Sequence, residues 1–300
     1  MSEARRSTLD APALALLLGC CVLWGLNQVA TKVALAEIPP LTQAALRSAG
    51  AALLLAAWAR WRGIALLQRD GTLAGGLLAG TLFAGEFACI FIGLQFTAAS
   101  RMVVFIYLAP FVVALGMPWI ARGERLAAAQ WLGLALAFGG VAWAFAEGFA
   151  PGAATASARQ WIGDALGLAA ALLWGGTTLA IRATRLAAAA PEKTLAYQLV
   201  VSALLLGVAA VALDEAWPRQ VGALAAGALA FQIVVVTFAS YLVWFWLVRH
   251  YPATRISAFT LLTPVSGLAA GVVLLDEPLT ARLGAALAAV VFGLVLVNRR

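Results

Sequence analysis

Ten runs of about twenty predominantly apolar residues fill nearly all of this chain, near 11–36, 41–61, 72–96, 100–120, 126–147, 161–184, 192–213, 221–248, 253–275 and 280–298. Each is long enough to cross a bilayer as a helix. Hydrophobic residues make up 64% of the 300 positions and charged residues 11%, against about 25% charged in soluble domains. A water-soluble fold this apolar would expose large sticky patches. The expected fold is therefore an all-α integral membrane protein of ten transmembrane helices, with the lipid bilayer as its first partner and no room for a soluble domain. The longest connection, GFAPGAATASAR from Gly148, reads as a linker between two halves.

The charges orient this bundle. With a cytoplasmic N-terminus, the inner segments hold Arg5, Arg6, Arg60, Arg62, Arg69, Arg122, Arg125, Arg182, Arg185, Lys193, Arg249, Arg255, Arg299 and Arg300. The outer segments hold Lys32, Arg101, Arg159, Arg219 and Arg282, and Arg47 falls inside a span. Fourteen against five places both termini in the cytoplasm. The net charge of +7 is thereby explained without a nucleic-acid partner. Cys20, Cys21 and Cys89 all fall in expected spans, so no disulfide framework is indicated. Leu17 begins LLGC, a lipoprotein-like box. The apolar run continues past Cys21, so the first span is expected to be a retained helix.

The chain also repeats itself. CVLWGLNQVATK from Cys21 and ALLWGGTTLAIR from Ala171 each place a Trp-Gly pair (Trp24-Gly25, Trp174-Gly175) in mid-run. A basic residue, Lys32 or Arg182, follows eight positions after each Trp. RMVVFIYLAP from Arg101 pairs with RISAFTLLTP from Arg255, matching Pro110 to Pro264. Gly123-Glu124-Arg125-Leu126 pairs with Asp276-Glu277-Pro278-Leu279, and Leu132-Gly133 with Leu283-Gly284. A unit with an odd number of crossings enters the membrane from the opposite side the second time. The expectation is two inverted five-helix repeats, at residues 1–147 and 161–300, joined by 148–160.

These features together resemble the EamA unit of the drug/metabolite transporter superfamily. They are Trp-Gly in the first helix, Arg47 in the second, an A-x-R ending at Arg101, x-L-x-P ending at Pro110, E-x-L at Glu124–Leu126, and Gly139-Gly140. The second copy departs from the pattern, with Tyr197 where the Arg would stand. The resemblance implies a ten-helix exporter of amino acids, aromatic ones included, or of other small metabolites across the bacterial inner membrane.

Several residues are candidates to carry substrate. Trp24 and Trp174 lie near the centres of their helices, unlike Trp58, Trp61, Trp119, Trp161 and Trp217, which suit the membrane interface. The central pair reads equally as packing wedges or as substrate contacts. Asn27, Gln28, Thr177 and Thr178 add polarity at membrane depth and should face protein or a cavity. Pro110 and Pro264 are expected to interrupt the fourth and ninth helices, freeing the carbonyls of Ile106 and Thr260, with Tyr107 and Thr263 nearby. Glu86 sits deep in the third span, where a carboxylate is a functional hypothesis by default. It suits a substrate ammonium or a carried proton, or else a hydrogen-bonded structural carboxyl. Its counterpart is Ser240, beside Tyr241. Gly76-x-x-x-Gly80, Gly163-x-x-x-Gly167 and Gly267-x-x-x-Gly271 permit close helix approach, within the chain or between subunits.

An enzyme is not expected. The lone histidine, His250, stands at a helix end, and no HExxH, acid pair within one span or Cys-His set is present. No P-loop pattern for ATP-driven pumping occurs, and no metal or other cofactor is indicated. The reading is a carrier working by alternating access, with a monomer compatible with the sequence.

Overall fold

The computed structural model describes residues 10–120, 127–146, 159–218, 220–250 and 262–298, all helix and connections. The linker from Gly148 to Ala158, the Gly123–Leu126 motif, the segment Arg255–Leu261 with the Thr260 carbonyl, and the cations Arg5, Arg6, Arg122, Arg125, Arg219, Arg255, Arg299 and Arg300 lie outside the described residues.

Helix α1 (Ala11–Ala34) starts where the Asp10 carboxylate accepts the backbone N–H of Ala13 at 3.0 Å. Helices α2 (Pro40–Trp61) and α8 (Pro191–Ala212) start on a proline, as α1 does one residue in. The missing N–H costs nothing in a first turn. The others are α3 (Leu73–Gly93), α4 (Ala99–Ile106), α5 (Ala109–Ile120), α6 (Ala128–Phe145), α7 (Gln160–Ala183), α9 (Ala223–Ala230), α10 (Tyr241–His250), α11 (Leu262–Leu275) and α12 (Ala281–Asn298).

Six stretches have the length and hydropathy of a membrane crossing: 11–34, 73–93, 99–120, 160–183, 191–212 and 223–244. Shorter apolar helices cover 128–144, 262–275 and 281–296. Leu53, Val211, Leu224 and Val273 are more than 70% exposed, as side chains facing lipid should be. This is a multi-pass membrane protein.

Two expected spans are not plain α-helices. The fourth stops at Tyr107–Leu108 and restarts at Ala109, so Pro110 sits in the first turn of α5. A true break replaces the expected kink. The eighth runs without interruption from Ala223 to His250, but Phe231–Ser240 winds as a π-helix between α9 and α10. Such windings are rare and concentrate at functional sites.

Packing comes in matched pairs. Helix α1 lies against α9, the π segment and α11, while α7 lies against α3, α4 and α5. Helix α3 packs on α8, and the π segment on α2; α2 pairs with α8, and α6 with α12. The Trp-Gly pairs explain part of this. A Cβ on Gly25 would stand 2.6 Å from the Gly267 backbone nitrogen, and one on Gly175 would stand 2.6 Å from the Val112 Cβ. Each glycine is the contact point of its helix with α11 or α5. The three small-residue motifs also pack within the chain: Gly76 and Gly80 on Tyr197 and Val201, Gly163 on Gly93 and Thr97, and Gly267 on Val103.

Acidic residues tie the helix ends. Glu215, after α8, accepts from the backbone N–H groups of Leu41 and Thr42 at the start of α2. Asp70, after α2, accepts from Lys193 at the start of α8 at 2.8 Å. The Lys193 ammonium, and then the Thr72 hydroxyl, hold the Asp70 carboxyl down at about 2. Glu277 accepts from the backbone N–H groups of Ala99 and Ser100 at 2.7 and 2.8 Å, and from Lys32 at 3.0 Å. Burial works to raise its carboxyl. The Ser100 N–H, Lys32 and the Ala99 N–H outweigh that and leave it below the usual range. Arg101 makes a bidentate pair with Asp164, buried to 1% exposure, and also donates to the Ala144 carbonyl.

Candidate functional site

Polar residues at helical spacing along α1 (Trp24, Asn27, Gln28 and Thr31) share one face, and that face turns into the bundle. Asn27 is 7% exposed and Gln28 5%. The Trp24 indole donates to Ser240 Oγ at 2.8 Å, and the Ser240 hydroxyl donates on to the Val236 carbonyl. Its ring meets Tyr241 and Trp244 edge-on, at centroid distances of 6.2 and 5.2 Å. The π segment and the first turn of α10 thus form one aromatic wall.

The opposite wall comes from the other half of the pairing. Tyr107, at the break after α4, meets Trp174 of α7 edge-on at 5.5 Å. Pro110 follows it, half-buried, and Pro264 is buried in α11 beside Thr263. The Thr263 hydroxyl lies near both the Tyr107 hydroxyl and the Cys21 thiol, yet makes no hydrogen bond of good geometry. Thr177 is buried, but its hydroxyl donates to the Leu173 carbonyl one turn back. It therefore offers a ligand only its lone pairs.

Glu86 of α3 is 6% exposed, and its Oε2 has no partner. It lies within electrostatic reach of Tyr241 and of Arg47. Arg47, on α2, is 1% exposed, with its guanidinium carbon 3.6 Å above the Phe87 ring centre. Contacts thus link Trp24 on α1, Tyr241 on α10, Glu86 on α3, Tyr107 between α4 and α5, Trp174 on α7 and Thr263 on α11, while Asn27, Gln28, Thr177 and Pro264 are buried on the same helices. Buried side-chain oxygens without partners occur on these helices and the π segment (Asn27 Oδ1, Gln28 Oε1, Glu86 Oε2, Thr237 Oγ1 and Thr263 Oγ1), and also at Gln43 Oε1 and Ser100 Oγ. Unpaired buried polar atoms are costly and call for a ligand or water.

The sequence marks Arg47 as a charge inside a span and a member of the repeat pattern, without a place among the site residues. The spacing Gln43–Arg47, four apart on one side of α2, is the signal that marks a shared inward face. A second feature escaped as well. Gln43 Nε2 donates to the Thr31 carbonyl at 3.2 Å and to Gln232 Oε1 at 3.3 Å, binding α1, α2 and the π segment beyond the site. The Ser240 acceptor for Trp24 depends on π winding, which no residue pattern announces. A separate groove of about 330 Å³, lined by Val29, Ala30, Leu224, Gly227 and Leu274 among others, is apolar and contains none of the candidates. Among the described residues, no group of three or more His, Cys, Asp or Glu side chains is placed to hold a metal.

The family model described as the EamA-like transporter family matches residues 11–146 and, a second time, 161–299. The uncharacterized transporter YvbV of Bacillus subtilis (strain 168) is 30% identical, over 93% of this chain and 89% of its own length. A probable amino-acid metabolite efflux pump of Escherichia coli (strain K12) is 29% identical, over 86% and 85%. A crystal structure of a protein at 22% identity superposes over 96% of this chain and 98% of its own, with a TM-score of 0.66. That likeness speaks to the fold.

Proposed function

The chain belongs to the EamA-like transporter family, and from that premise we propose that it exports amino acids or similar small metabolites across the bacterial inner membrane. In this reading α1, α2, α3, α4–α5 and α6 are one five-helix repeat. Helices α7, α8, α9–α10 with the π segment, α11 and α12 are the second, inverted in the membrane, with both termini cytoplasmic. The matched packing supports it, because exchanging the two sets of elements maps α1 on α11 onto α7 on α4–α5. The acid after α2 held by the start of α8, and the acid after α8 held by the start of α2, have the same relation.

The two sets rock about the buried site, which opens to one side at a time. The broken crossing at Tyr107–Leu108 supplies the hinge between α4 and α5, and Glu277 with Lys32 pins one end when closed. The substrate's ammonium is received by Glu86, and its side chain by the wall of Trp24, Tyr241, Tyr107 and Trp174. The observation that supports this reading is the set of buried, partnerless oxygens on α1, α3, the π segment and α11. A purely structural bundle would not retain them.

Counterflow in proteoliposomes tests it. Vesicles loaded with mixed unlabelled amino acids are expected to accumulate labelled Thr, Met, Phe or Trp above protein-free liposomes. Folded protein that moves none of the four refutes the amino-acid assignment.

A further inference from the structure

Arg47 and Glu86 are an unusual pair to find in a membrane interior. The guanidinium is among the most completely buried large side chains, and Phe87 covers its face, with Phe91 at 5.4 Å. Its Nε and Nη2 nonetheless have no partner, and neither has Glu86 Oε2. The two groups lie within electrostatic reach of each other and of the Tyr241 hydroxyl. Among the described residues no ion pair joins them, although Lys32–Glu277, Arg101–Asp164 and Lys193–Asp70 all close. A buried guanidinium and a buried carboxyl group that could pair and do not are costly as pure structure. They make sense if something with both charges fits between them.

We propose that Arg47 and Glu86 are the two poles of one ligand site, which takes the zwitterionic head of an α-amino acid. The guanidinium edge receives the carboxylate and Glu86 receives the ammonium. Phe87 holds the guanidinium plane, so the edge with Nε and Nη2 is left for a planar, two-oxygen partner. Bidentate arginine recognition of a carboxylate needs that geometry, and lysine cannot supply it. Orientation follows as well. The second half has Tyr197 and Ser240 at the matching places, and both are engaged elsewhere: Tyr197 lies 3.2 Å from the Thr72 hydroxyl, and Ser240 accepts from Trp24. The site has one positive and one negative pole, so the ligand binds in one direction.

This inference rests on the amino-acid reading above, and the experiment separates the two. Counterflow would be inhibited with the best-transported amino acid, its carboxamide and its N-acetyl derivative, in wild type, Arg47→Gln, Arg47→Lys and Glu86→Gln. On the wild type, both derivatives should compete at least about thirtyfold more weakly than the parent, because each leaves one buried charge unanswered. Arg47→Gln should lose affinity for the parent by a similar factor while its affinity for the carboxamide stays the same, and Arg47→Lys should recover only part. Glu86→Gln should behave likewise toward the N-acetyl compound. Equal competition by amino acid and carboxamide on the wild type overturns the two-pole site, even if no variant folds. So does an Arg47→Gln protein that weakens all ligands alike. Failure of the wild type to bind any amino acid overturns both readings, whereas binding without the acid–amide distinction overturns this one alone.

Discussion

The glycine beside each central tryptophan gives the sharpest test of how the two sets of helices meet. In Gly25→Ala the new methyl would lie 2.6 Å from the Gly267 nitrogen and 2.9 Å from the Ser266 carbonyl carbon. Those are backbone atoms that cannot rotate away. In Gly175→Ala it would lie 2.6 Å from the Val112 Cβ, equally rigid. Gly19, in the same helix as Gly25, and Gly139 in α6 have nothing within 4 Å. Replacing glycine by alanine inside a helix is favourable by about 1 kcal/mol, and forcing a methyl into a packed contact costs about 1–3 kcal/mol. Gly19→Ala and Gly139→Ala should therefore stabilise by up to about 1 kcal/mol. Gly25→Ala and Gly175→Ala should fall below them by the whole overlap cost, about 1–3 kcal/mol. At about 2–4 °C per kcal/mol, the gap is several degrees. Thermal unfolding in detergent, followed with a thiol-reactive dye that reports the buried Cys20 and Cys21, reads it directly. Gly25→Ala melting as high as Gly19→Ala would mean that α1 and α11 do not touch at that point.

Other contacts predict equally specific outcomes. Arg101→Met leaves Asp164 charged and buried, so it should destabilise by about 3–5 kcal/mol, while Arg101→Met combined with Asp164→Leu should recover most of the loss in the same melting assay. Glu277→Gln should cost about 1 kcal/mol through the two N–H groups at the start of α4. Lys32→Gln should cost less, because the Lys32 side chain is 33% exposed and water screens it. Asp70 has its carboxyl lowered to about 2 in the fold. Its contact with Lys193 therefore stabilises fully above the unfolded carboxylate's pKa of about 3.9 and is lost as the pH falls toward about 2. Asp70→Asn should accordingly melt below wild type at neutral pH, and the two melting temperatures should converge as the medium is acidified.

Much of this was legible in the residues. Apolar run length is a direct statement about solvent, so 11–34, 73–93 and 191–212 came out as helices near the expected bounds. Proline did not mark its own break: the helix stops at Tyr107–Leu108, and Pro110 starts the next one, because a first turn has no use for its missing donor. The π winding from Phe231 to Ser240 had no sequence mark, since its residues are as apolar and regular as any α-helix. Its residues Ser240 and Gln232 meet Trp24 and Gln43, contacts that separate helices make and one-dimensional spacing does not encode. Glu86 was found because a lone acid stands out in a span. Arg47 stands out only as a cation in a span and a member of the repeat pattern, and nothing in the spacing ties it to Glu86 on another helix.

That mismatch carries the larger point. The two sets of helices share contacts where packing alone is at stake: Gly25 on α11 and Gly175 on α5, and acid after α2 against α8 and acid after α8 against α2. They diverge where charge is at stake. Tyr197 spends its ring beneath Gly76 and its hydroxyl near Thr72, at the end of the bundle, so it leaves no cation in the middle. In the proposed alternating-access reading, a duplicated scaffold needs alike surfaces to swing either way with similar energy. A ligand with two unlike ends needs a site that is not duplicated. In the proposed two-pole site, Arg47 and Glu86 in one half only would satisfy both demands, and restoring the symmetry should undo it. Tyr197→Arg would add a second cation at the matched position of α8, so the protein should lose its preference between amino acid and carboxamide before it loses its fold. Retention of the full preference in that variant would mean that α2 and α8 do not present matched positions to the same ligand.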